Sequence, residues 1–540
     1  MKYNKYLGIV SIIAVMALSS CTDELDQNPI DPDSFTEQNV FANEESVKSA
    51  LAKVYASLVL TGQKGPDGLA DIDGIDEGTS QFSRMLFYMN ELTTDAAVVG
   101  WGDPGLPDLH EMSWSANNTL IEALYYRLAQ VVSFSNSFIA NAAQFSGTNE
   151  VQYFIAEARF IRAYAYYNLM DLYGGVPITT EISTELPLQN SRKEVFDFVE
   201  AELLEIQDLL KESGTNEYGR VDRVAAWALL SRLYLNAEVY TGEAKYNESV
   251  SFSEKVINSS YIINTNDANG NGSAYDELFL ADNHTNGAQN EFIYALNFDG
   301  LNSKTWAGTT FLIHAAIGGS MNAAEFGVNG GWSGLRTTKA LVDKFSDAVT
   351  GTRTGGEPIT WADARAMFYT DGQNYEIATI ANEFTDGYAV TKFKNVDVNG
   401  VAGSDPTGNH TDTDLPIIRL AEIYLNYAEA TVRGGGGSPA TAVNLINQLR
   451  ERAYGDASGN ITAGDLTIAF VMDERARELY WEGLRRTDLI RNNQFTENSY
   501  LWPFKGGAAQ GASVGKYRAL FPFPNNIIST NPNIKQNDQY

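Results

Sequence analysis

Three separated segments repeat one pattern: alanine, leucine, tyrosine and arginine at helical spacing, a glycine close behind, then a second amphipathic stretch. The first members are Ala156–Tyr173, Ala225–Ala237 and Leu420–Ala430; Gly174, Gly242 and Gly434 follow them. The second members fall at about 193–212, 244–258 and 439–453. A helix with small residues on one face lets a partner approach closely, and such pairs bury their apolar faces only by stacking on further pairs. The pattern therefore predicts a mainly α fold, a scaffold of tetratricopeptide-like helix pairs. Between about 259 and 415 the period fades and Gly, Asn, Thr and Asp rise, with only short runs such as Glu291–Leu296 and Tyr388–Phe393 resembling strands. This reads as a loop-rich insertion with short β strands, the kind of segment that carries binding residues on a rigid frame. The expected scaffold spans about 41–258 and 416–492, and an irregular C-terminal segment with Pro503, Pro522, Pro524 and Pro532 spans about 493–540.

The N-terminus reads as an address. Lys2 and Lys5 precede an apolar run, Leu7–Leu18, too short to span a bilayer, which needs roughly 20 residues. Leu18-Ser19-Ser20 then leads into Cys21, the only cysteine of the chain. Residues 1–20 are expected to be a signal peptide and Cys21 a lipidation site, followed by a tether over 21–40 with Pro29 and Pro32. A single cysteine excludes intrachain disulfides and Cys-rich zinc sites. The net charge of −30 opposes nucleic acid and anionic surfaces and favours a neutral ligand. The 28 tyrosines, 26 phenylalanines and 8 tryptophans exceed what a core alone requires and leave aromatics for ligand faces.

Several stretches together resemble the SusD/RagB family of outer-membrane glycan-binding lipoproteins. They are Thr61–Gly68, Asp73–Gly78, Asn90–Asp95, Ala156–Gly175, Asn329–Trp332, Asp412–Glu422 and Asp473–Arg491, in the family's order along the whole mature chain. Thr61–Gly68 is shared with the starch-binding branch. The acidic residues Asp23 and Glu24 after Cys21 resemble the surface-export signal of such lipoproteins. The resemblance implies a cell-surface, outer-membrane protein that captures neutral polysaccharide and sits over a SusC-like TonB-dependent transporter. It further implies glycan-binding roles for Trp101 and Trp306 in two loops, for Arg84, and for Asp103 as a hydroxyl acceptor. Val99 stands where the family carries another aromatic, so the platform is expected to be one ring short; a β-glucan such as laminarin then stands beside a starch-like α-glucan as ligand. Trp332 and Trp481 fall in family-wide segments and are expected in the core.

No cofactor is expected to be required, and the resemblance places a structural calcium at Asp412 and Asp414 with an acidic residue near Asp282. Asp267-x-Asn269-x-Asn271-Gly272 begins like an EF-hand loop, but its twelfth position is Leu278 where a glutamate belongs; Asp456-x-Ser458-x-Asn460 departs similarly. Enzyme chemistry is not expected. There is no His-Glu-x-x-His motif, Gly515-Lys516 lacks the phosphate-loop pattern, and His110, His284, His314 and His410 stand isolated in sequence. The competing readings are a transporter lid for another oligosaccharide or a peptide, and a glycoside hydrolase, since 68 acidic residues leave room for a carboxylate pair.

Overall fold

The computed structural model describes residues 41, 43–62, 70–381 and 383–540. The leader, Cys21 and the tether lie outside the described residues, as do residues 63–68 of the Thr61–Gly68 stretch. Helices α1 (Glu44–Ala56) and α2 (Phe82–Asn90) lead into an antiparallel pair, α3 (Thr119–Ala142) and α4 (Asn149–Tyr173), and α5 (Arg192–Ile206) folds back on α4. A second pair follows, α6 (Arg223–Leu235) against α7 (Tyr246–Ile257). After the insertion, which carries α8 (Gly308–Ala315), α9 (Leu420–Val432) packs on both α7 and α10 (Pro439–Tyr454). Last come α11 (Ile468–Leu479) and α12 (Arg485–Arg491), followed by a segment whose described helix is one short piece, Asn525–Thr530, besides single 3-10 turns.

Local sequence explains where these helices begin. Asn118 accepts the N–H groups of Leu120 and Ile121, Thr148 that of Val151, and Asp222 that of Val224. Ser191 and Glu194 cap α5 reciprocally, so the otherwise unpaired N–H groups of the first turn find acceptors. Helix α4 is buried on almost every side from Ala156 onward, and its charges there need partners. Glu157 pairs with Arg220 at 2.6 Å, Arg162 with Glu202 at 2.7 Å, and Asp171 with Arg486 at 2.8 Å.

Four two-stranded antiparallel ladders form among the described residues, and the first two stitch the insertion to the scaffold. They pair β1 (Val98–Val99) with β3 (Leu335–Arg336), and β2 (Phe292–Leu296) with β8 (Leu415–Arg419). The others pair β4 (Val349–Thr352) with β5 (Pro358–Trp361), and β6 (Phe368–Tyr369) with β7 (Ala389–Val390). One apolar core runs through scaffold and insertion alike. Beside β8 lies a buried ionic knot. Arg419 donates to Glu291 (3.0 Å), Glu478 (2.6 Å) and Glu482 (2.7 Å), while Arg452 bonds Glu291 and Glu478, and Arg365 bonds Asp363, Glu474 and Glu478. The alternating acidic and basic residues of Glu474–Arg491 thus mostly face inward, each charge neutralised by another.

Candidate functional site

β1 pairs with β3, and Gly100 N–H continues the contact to the Gly334 carbonyl at 3.1 Å. This sets the indole of Trp101 over the Gly334 backbone: a Cβ on Gly334 would stand 2.4 Å from Trp101 Cε2, so only glycine fits beneath the ring. Trp101 Nε1 donates to the Trp332 carbonyl at 3.2 Å. The Trp332 loop is pinned by three backbone bonds, Trp332 N–H to His314 (2.7 Å), Ser333 N–H to Ile317 (2.9 Å) and Gly334 N–H to Ala315 (2.8 Å). Ser333 is held at φ 52°, a left-handed conformation uncommon for a residue with a side chain and concentrated at functional sites.

Three tryptophans stand in series here. Trp101 and Trp332 have ring centroids 6.4 Å apart with planes tilted 47°, and Trp332 and Trp306 are 6.2 Å apart at 57°. Trp101 and Trp332 are half-buried, and Trp306 is 37% exposed. The expectation that Trp332 lies in the core is therefore corrected: it is the middle member of a partly exposed arc, whereas Trp481, 1% exposed, is core as expected. Two histidines form the floor. His314 stacks under Trp332 at 4.8 Å and 15°, and His410 lies 4.5 Å from Trp306. Burial lowers the His314 imidazole from its usual range, against the raising effect of the Gly330 and Asn409 carbonyls that its two ring nitrogens meet.

Arg84, on α2, lies at the edge of this arc. Its guanidinium sits 4.5 Å from the Phe311 ring centre and 5.8 Å from that of Trp101, and donates to Tyr88 Oη (3.2 and 3.1 Å) and the Trp306 carbonyl (3.2 Å). A Cβ on Gly78 would meet Arg84 Nη1, Asp76 Oδ1 and Trp306 Cβ, which places the exposed Asp76 carboxylate beside the same corner. Asp103 is exposed, and its carbonyl accepts Leu106 N–H at 3.1 Å. Burial raises the Tyr88 hydroxyl above its ordinary range and the Asp103 charge adds to that, against the lowering effect of Arg84. Trp101, Trp306, Arg84 and Asp103 thus come to one face of the molecule, joined by Trp332, His314, His410 and Asp76. The signal for Trp332 was local: Asn329-Gly-Gly-Trp-Ser-Gly334 surrounds it with glycine, as Gly100 and Gly102 surround Trp101. The arc is an open surface; the cavity of about 430 Å³ between α1, the 217–220 turn and β2 shares none of these residues.

The expected calcium ligands do not assemble. Asp412 accepts backbone N–H from Gly300 (2.7 Å) and Ser404 (2.5 Å), and Asp414 accepts from Phe298 N–H (2.7 Å) and Tyr218 Oη (2.8 Å). Asp282 accepts from Val398 N–H (3.2 Å) and Asn286 (3.1 Å). Burial first, then neighbouring Asp412 and Asp299, push the Asp414 carboxyl up to about 7. As the structure stands, each of these three carboxylates is engaged by protein donors rather than turned toward the other two. Among the described residues, no three His, Cys, Asp or Glu side chains already converge as a metal group.

Residues 360–540 match the SusD family, and residues 34–235 match a family described as "Starch-binding associating with outer membrane". The starch-binding protein SusD of Bacteroides thetaiotaomicron is 36% identical over 100% of this chain and 99% of its own length. SusD-like protein P2 of Formosa agariphila is 24% identical over 90% of each chain. Among solved structures, a SusD superfamily protein from Parabacteroides distasonis superposes with TM-score 0.69 at 22% identity, over 94% of this chain and all of that one. Surface glycan-binding protein A of Bacteroides fluxus gives 0.66 at 21% identity, over 92% of this chain and all of that one. These two likenesses bear on the fold, and the helix-pair scaffold expected from the sequence agrees with them. Identity of this extent along the full length, together with the two family matches, means that the chain belongs to the SusD family.

Proposed function

We propose that this protein captures a neutral, turning glucan of the starch type on the Trp101–Trp332–Trp306 arc, as a surface lipoprotein anchored through Cys21, and passes it to a SusC-like transporter. The carrying observation is the run of three partly exposed indoles, 6.4 and 6.2 Å apart, with Arg84 at their edge. Indoles offer the C–H faces of pyranose rings flat apolar partners, and such sites need only a few polar groups to fix orientation. Arg84 has five N–H donors, three of which are engaged within the protein, leaving two for sugar hydroxyls. Tilts of 47° and 57° between successive rings make a faceted platform, matched by a chain that curves and poorly by a flat ribbon. Trp332 adds a third ring to the two expected, and a three-facet platform favours α-glucan over laminarin. Support also comes from the relatives, one named as starch-binding and one as a surface glycan-binding protein. Both are binding proteins, in keeping with capture rather than hydrolysis. For the location, one matching family is described as associating with the outer membrane, and no described helix is long and apolar enough to cross it.

Calorimetry with maltoheptaose, amylopectin and laminarin on the wild type and Trp332→Ala tests this reading. Binding of the two α-glucans that Trp332→Ala weakens at least tenfold is the expected result. Laminarin binding alone would reassign the glucan, and undiminished affinity in Trp332→Ala would move the site.

A further inference from the structure

The segment Asp267–Glu277 departs from the EF-hand pattern at its twelfth position, yet it carries two buried carboxylates that nothing else in the molecule uses. Its first half is wound like a cation loop. Asp267 accepts the N–H groups of Asn271 (3.0 Å) and Gly272 (2.9 Å), Asn269 Oδ1 also accepts Asn271 N–H (3.0 Å), and Asn271 Oδ1 accepts Ser273 N–H (2.9 Å). Gly272, at the sixth position, turns at φ 93°, where a cation loop requires glycine. These bonds describe only a loop. The independent observation lies behind it. Glu277 is fully buried, with Oε1 aimed into the loop to accept Ala268 and Asn269 N–H, while Oε2 has no partner. Asp276 is 9% exposed, and its Oδ1 is likewise buried without a partner.

A buried carboxylate oxygen lacking a donor costs on the order of 1–3 kcal/mol or more, and two adjacent ones ask for a shared positive charge. We propose that Asp267–Glu277 binds one calcium ion, with Asp276 and Glu277 replacing the missing twelfth-position glutamate. The remaining donors are Asp267, the Asn269 and Asn271 amide oxygens and the Ser273 carbonyl, all oxygens, as a hard cation of six to eight ligands takes. In the ion-free arrangement the Asn269 and Asn271 amides both donate N–H to Asp276 Oδ2, at 3.0 and 2.7 Å. The carboxylates therefore do not converge until an ion arrives. Rotating each amide by half a turn replaces its N–H with its oxygen. No nitrogen or sulfur ligand is present, so zinc and copper are not served. Magnesium, which keeps several waters, gains less from so many protein oxygens.

The experiment uses the full mature chain stripped with EDTA and titrated with calcium chloride by calorimetry, with Tb³⁺ luminescence excited through tyrosine as a second readout. The expected result is one Ca²⁺ per chain, bound at about 1 mM or tighter. A hundredfold excess over Kd should raise Tm by roughly 2–3 °C. Asp276→Asn combined with Glu277→Gln should weaken binding at least tenfold without lowering Tm in EDTA, and Asp412→Asn should bind as the wild type. Should the double variant fail to fold, Asp267→Ala, on the exposed side of the loop, must show the same loss. Absence of Ca²⁺ binding up to about 10 mM, or binding that survives the loop variants and disappears in Asp412→Asn, would overturn the proposal.

Discussion

Replacing Trp306 with alanine separates ligand stacking from structural support. The side chain is 37% exposed, touches His410 and Trp332, and stands in a loop rather than in a packed helix. The bond that ties this loop to Arg84 uses the Trp306 backbone carbonyl, so truncation leaves it in place. Removing a fully buried tryptophan costs about 3–5 kcal/mol; with over a third of the ring in solvent and an open side onto which neighbours relax, about 1–2 kcal/mol is expected here. For a chain of this size that lowers Tm by only about 1–2 °C. Binding should respond far more. Aromatic stacking is worth about 1–3 kcal/mol per ring by analogy with nucleobases, so affinity should fall about 10–100-fold. Trp306→Phe should recover part of it, because a smaller flat ring remains. Calorimetry with maltoheptaose reads the affinity and differential scanning calorimetry the fold. If affinity is unchanged, the arc is not the platform; if Tm falls by ten degrees or more, Trp306 is a structural residue and the reasoning from exposure fails.

Other expectations follow from the buried charges and the leader. Burial raises the Glu91 carboxyl to about 8, against the lowering effect of the Gly483 and Leu484 N–H groups and Arg485. Because the folded value lies above the unfolded one, the native state holds the extra proton between about pH 4.5 and 8. Stability should therefore fall through that window, and Glu91→Gln should flatten the slope when urea midpoints are compared at pH 5 and 9. Glu478→Gln should destabilise the fold by about 3–5 kcal/mol, since it leaves Arg365, Arg419 and Arg452 short of one buried negative charge; urea denaturation measures it. Cys21→Ala should move the protein from the membrane fraction to the soluble one in cells lacking the transporter, because two acyl chains are what make such anchoring stable.

The helix pairs were legible because their periodicity is local: α4, α6 and α9 contain most of the segments read from alanine and tyrosine spacing. That Trp101 and Trp306 stand in loops was legible for a similar reason, since glycine, proline and lysine around them make a poor core. Trp332 has equally telling neighbours but was read as core from the segment it falls in, and its exposure depends on His314, eighteen residues upstream, offering a flat floor. The surroundings of Asp412, Asp414 and Asp282 were not legible: the backbone N–H groups of Gly300, Phe298 and Val398 that bond them arrive from distant loops.

The ion pairs that join the two ends of the chain decide when this molecule can exist at all. Asp95 is bonded twice to Arg485, 390 residues later, and Asp171 meets Arg486, 315 residues later. Both carboxylates are buried, so a growing chain that stopped short of residue 485 would have to hide charges without the arginines that bond them directly. The N-terminal helices are in this sense unfinished until the C-terminal signature is present, and native order cannot accumulate piecemeal from the first residues onward. With such an arrangement the polypeptide stays slack while incomplete and closes only when its last arginines arrive.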